Sequence, residues 1–96
     1  MENKIAILES NIENLKIVSK KIYLIMTEEC VLSKFIKEHK SNEPIIKFGS
    51  YYNNWLNEMH RLQKEESKLK QEINFEQVYQ KSLIFKISNL KKELKC

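Results

Sequence analysis

With 96 residues, 42% of them hydrophobic and 31% charged, a formal net charge of +4 and a mean hydropathy of -0.53, the chain is too apolar for simple disorder and too polar for a bilayer protein. All 13 acidic residues are glutamate and, apart from Arg61, all 17 basic ones are lysine, so the charged surface is written in good helix formers. A folded chain this short buries only about 60 to 65% of its unfolded surface, which leaves a marginal core and favours a single domain over residues 1–96.

The N-terminal MENKIAILES carries charges through its short apolar pattern, unlike a secretory leader, and no apolar run approaches the roughly 18 residues of a membrane span. These features predict an intracellular, cytoplasmic protein. From residue 3 to 40 one helical period prevails: Ile5, Leu8, Ile12, Leu15, Val18, Ile22, Ile25, Leu32 and Phe35 or Ile36 recur at steps of three and four, with one wider step across Glu29 and no Gly or Pro. A helix of that length exceeds the usual globular range and points to a coiled coil. Ile7, Ile17, Tyr23 and Leu24 fall outside the seam. Cys30 reads as a small buried hydrophobe within this helix, and its spacing from Cys96 gives no support to a disulfide.

The connector, 41–52, contains the only proline and the only glycine. Pro44 disfavours helical geometry at Glu43 and has no amide hydrogen to donate, so the first helix should stop there. Ile45, Ile46, Phe48, Tyr51 and Tyr52 are β-favouring residues on either side of Gly49, which can take a positive φ in a tight turn. Two readings stand side by side. In one, 45–48 and 50–53 are short strands, too small to be stable without strands from other subunits. In the other, the segment is an apolar loop over the end of the hairpin and the second helix starts near Ser50.

From 53 to 95 a second heptad frame holds Trp55, Met59, Leu62, Leu69, Ile73, Leu83, Ile87, Leu90 and Leu94, with Glu66, Glu76 and Gln80 at its other seam positions. Between Ile73 and Leu83 the apolar residues move to Phe75, Val78 and Tyr79, a pattern that predicts a stutter carrying the stripe around the helix. One continuous helix is expected; Asn74 with Gln77 could instead cap a separate third helix. The predicted fold is therefore mainly α, a long antiparallel helical hairpin of coiled-coil type with a short β-hairpin as an option in the connector. Two helices share one seam, so Ile7, Ile17, Tyr23, Leu24, Phe75, Ile84 and Phe85 should stay wet, and an oligomer or larger complex is the expected state.

The layout of long helix, apolar segment centred on glycine and second long helix resembles the β-type subunits of prefoldin, a hexameric co-chaperone; the local likeness is SNEPIIKFGSYYNNWLNEM. The resemblance implies that Ile45, Ile46, Phe48, Tyr51, Tyr52 and Trp55 carry assembly through a shared barrel. It implies also that the distal helix ends, near Ile5, Ile7 and Leu8 and near Leu90 and Leu94, hold non-native protein without ATP. Protein partners in a hetero-oligomer follow from it.

Other chemistry finds little footing. His39 and His60 are isolated, with no helical partner for a metal site, so no metal or other cofactor is expected. Glu65 and Glu66 are adjacent on a helix and point in different directions. No constellation supplies nucleophile, base and stabiliser together, so no enzyme is expected. Lysines interleaved with glutamates mark a solvated face, and a lone Arg61 is poor equipment for nucleic acid, which stands behind protein as the alternative partner. The alternative function is a small helical inhibitor or adaptor, of the kind mobile elements encode, docking on a larger protein or nucleoprotein.

Overall fold

A computed structural model describes residues 2–95; the disulfide question at Cys96 lies outside the described residues. Two helices, α1 (Glu2–Ser41) and α2 (Ser50–Lys95), form an antiparallel helical hairpin. Neither helix contains a Gly or Pro, and basic residues occupy both last turns, His39 and Lys40 in α1 and Lys92 and Lys95 in α2, where they meet the negative end of the helix dipole.

The connector is a helix stop followed directly by a helix start. The amides of Asn42 and Glu43 donate to the carbonyls of His39 and Lys40 at 3.2 and 3.3 Å, tightening the last turn, and Ser41 Oγ donates to the Lys37 carbonyl at 2.9 Å. Pro44 then prevents continuation. Gly49 adopts a φ of 99°, and its carbonyl accepts the Asn53 amide at 3.0 Å, the first bond of α2. No strand forms among the described residues. Residues 50–53, the second of the two optional strands, open α2 instead, because their hydrogen bonding is already directed into the helix. A free hairpin of this size would have no neighbour to complete it.

Two compact units make up the chain: Met1–Leu24 with Ile73–Cys96, and Ile25–Glu72. In the first, Val18, Ile22 and Leu83 form the core, Leu15 packs against it and Ile87 is buried as well. The ion pair Lys4–Glu93 at 3.2 Å and the hydrogen bond from Gln80 Nε2 to Ser19 Oγ at 3.0 Å show the antiparallel register. In the second unit Ile25 and Met59 are buried, with Leu32, Ile36, Leu62 and Leu69 half-buried.

The seam differs from the sequence reading at two places: Ile5, expected within it, is exposed, and the stretch around Phe75 to Gln80 departs from the expected stutter. Val78 and Tyr79 do not carry the stripe inward; both are exposed, as is Phe75, expected to stay wet, while Glu76 and Gln80 keep the heptad positions. Glu76, its side chain only 12% exposed, meets Lys21 at 2.8 Å, and Gln80 meets Ser19. In place of a stutter, polar residues of α2 occupy the seam and meet polar partners on α1. Asn74 lies exposed inside an uninterrupted helix and caps nothing. Cys30, expected inside, is exposed.

Candidate protein-interaction surface

The connector is pinned from both sides by an aromatic clasp. Trp55 Nε1 donates to the His39 carbonyl at 2.8 Å, and His39 Nε2 lies 2.8 Å from the Trp55 carbonyl. A carbonyl only accepts, so Nε2 must carry the proton. The two rings stack at 5.3 Å, and Tyr52 stacks on Trp55 at 5.8 Å. A spacing of three makes Tyr52 and Trp55 neighbours on the surface of a helix. Beside the clasp lies an open hollow of about 570 Å³ bordered by Leu32, Phe35, His39, Arg61 and Leu62.

Arg61 is committed locally. Its guanidinium bonds Glu58 through two nitrogens and Glu65 Oε1 at 2.7 Å. Hydrogen bonds donated by Arg61 hold the Glu58 carboxyl below its ordinary pKa, and the same bonds to Glu58 push Arg61 up, so both stay charged. The single arginine is thus part of a surface ladder along α2.

Against this pinned frame the connector side chains point to solvent. Ile45 is 98% exposed and Phe48 80%, with Ile46 and Tyr51 also well exposed. They border a shallow hollow of about 420 Å³ that includes Pro44 and Gly49. Of the six residues expected to carry assembly, then, Ile45, Ile46 and Phe48 in the connector and Tyr51 in the first turn of α2 lie open, while Tyr52 and Trp55 are half-buried in the clasp. At the distal helix ends Ile5 and Ile7 are exposed, and Leu8, Leu90 and Leu94 are half-buried.

A second apolar surface lies in the other unit. Phe75, Val78 and Phe85 are 72%, 61% and 67% exposed and share one side of α2, since steps of three and seven return to the same face. Phe85 is two residues beyond buried Leu83, about 200° around the helix, so this side faces away from the core. Ile17, Tyr23, Leu24 and Ile84 are exposed too, as two helices sharing one seam require. Among the described residues no three His, Cys or acidic side chains gather where a metal could be held, and no helix is long and apolar enough to cross a membrane. No family model, no curated protein and no solved structure matches this chain.

Proposed function

We propose that this chain is a non-catalytic subunit of a protein assembly and that the connector is its point of attachment. The observation that carries the reading is the exposure of Ile45, Ile46, Phe48 and Tyr51 within seven residues, from the connector into the first turn of α2, a stretch flanked by the His39–Trp55 clasp. Burying apolar surface is worth about 25 cal/mol per Å², so a partner covering these four side chains would gain several kcal/mol. The clasp lowers the ordering cost, because both flanking helix ends are already in place.

A prefoldin-like co-chaperone subunit is the finer form of this role. It would require residues 50–53 to leave the first turn of α2 and enter a shared barrel. An assembly that takes the connector as it stands needs no such rearrangement and is the more economical form.

The test is the mass of the native complex. Isolated from its own cells under non-denaturing conditions, the chain should travel in a particle several times heavier than 11.6 kDa. Ile46→Asp with Phe48→Asp should release it as a helical protein of its own mass, with the far-ultraviolet circular dichroism unchanged. A wild-type chain found alone, folded and monomeric, would overturn the reading.

A further inference from the structure

The net charge of the chain is not spread along it. Residues 81–95 contain Lys81, Lys86, Lys91, Lys92 and Lys95 against Glu93 alone, a local charge of +4, which equals that of the whole chain; up to residue 80 the basic and acidic side chains cancel. Glu93 is itself engaged by Lys4. The outward stripe of Phe75, Val78 and Phe85 runs into this basic segment, and helical spacing sets Lys81 on one flank of it and Lys86 on the other.

The polar seam gives this stripe its meaning. At 76 and 80 the chain places Glu and Gln toward α1, and at 75, 78 and 85 it places apolar residues toward water. For an isolated hairpin the reverse arrangement would bury more apolar surface. We propose that this face of α2, from Phe75 to Lys86, docks an amphipathic helix of another protein whose apolar stripe is bordered by acidic residues.

Phe75 to Phe85 spans about 15 Å, three helical turns, which a partner helix of similar length would cover. Its flanking carboxylates would meet Lys81 and Lys86 much as charged residues border the apolar seam of a coiled coil. A second copy of this chain is a poorer occupant, since a parallel copy would set Lys81 against Lys86 and an antiparallel copy offers the two lysines Glu72 alone as an acidic neighbour. An anionic membrane is poorer as well, because the stripe begins beside Glu72 and Asn74 and has no lysine flank there. This surface is separate from the connector, and either can fail without the other.

The experiment titrates the full chain against two labelled synthetic helices of about 18 residues, both with leucines at helical spacing, one flanked by glutamates and the other by lysines. Anionic phospholipid vesicles and sedimentation of the chain alone are run beside them. The expected result is saturable binding of the acidic helix, at least about tenfold tighter than the basic one and weakened by salt. Phe85→Ser should loosen it about tenfold or more with helicity unchanged, and Val78→Ser serves as the second variant if that protein loses structure. Lys81→Glu with Lys86→Glu should reverse the preference. Equal affinity for both helices, indifference to Phe85→Ser, binding to vesicles alone, or self-association abolished by Phe85→Ser would each overturn the proposal.

Discussion

The two units manage the same shortage of burial in opposite ways. In Ile25–Glu72 an apolar seam with buried Ile25 and Met59 is joined by directed contacts at the helix ends, the paired His39 and Trp55 bonds and the stacked rings, and the most exposed apolar residues are gathered in and beside the connector. In the unit of Met1–Leu24 with Ile73–Cys96 the order comes from a small apolar core around Leu83, interrupted by polar seam pairs, and the excess lies along outward helix faces. A connector concentrates exposed side chains in a few consecutive residues, whereas a helix can only offer every third or fourth. The first suits attachment by a compact patch and the second suits contact with another helix.

That contrast can be broken most forcefully at Leu83, 2% exposed and the most buried side chain of its unit. Leu83→Ala should cost about 3 kcal/mol, because transfer and cavity terms add at a site with so little else to collapse onto it. Thermal unfolding followed by circular dichroism reads the loss; a cost under about 1 kcal/mol would mean that the core does not hold this unit.

At the clasp, Trp55→Ala should cost about 2 kcal/mol, less than a fully buried aromatic, since Trp55 is only half-buried. The more telling comparison is with Trp55→Phe, which keeps the stack and drops the N–H donor to His39. It should recover about half of the loss. If Phe recovers all of it, the hydrogen bond contributes nothing and the clasp is packing alone.

Much of this architecture was legible because helix signals are local. The absence of Gly and Pro and the steps of three and four predicted helices over 3–40 and 53–95, against Glu2–Ser41 and Ser50–Lys95. The heptad seam placed Val18, Ile22, Met59, Leu83 and Ile87 inward, and every surplus residue from Ile7 to Phe85 proved exposed. What escaped was non-local. Nothing near Glu76 in the sequence announces Lys21, and nothing near His39 announces Trp55; those pairs form between residues far apart in the chain. Apolar content at 75, 78 and 79 therefore suggested a rotated stripe where paired polar residues hold the seam. The connector misled for a related reason, since Tyr51 and Tyr52 favour strands in general, yet the turn at Gly49 and the stack of Tyr52 on Trp55 settle them in a helix.

The smallest effect sharpens the contrast from the other side. Gln80 keeps a seam position through one hydrogen bond to an exposed Ser19, so the bond is open to water and contributes little net stability. Replacing it by leucine would extend the apolar seam next to Leu83, while Ser19 could turn to solvent without being stranded. Gln80→Leu should therefore stabilise the hairpin by about 0.5 to 1 kcal/mol, seen as a higher denaturant midpoint at unchanged slope. A stabilising result would mean that the seam is not built for the greatest stability of an isolated hairpin, as expected of a helix pair whose outer face also has to be covered by a partner. A destabilising one would make the Gln80–Ser19 pair a structural requirement, and the polar seam would then need no partner to explain it.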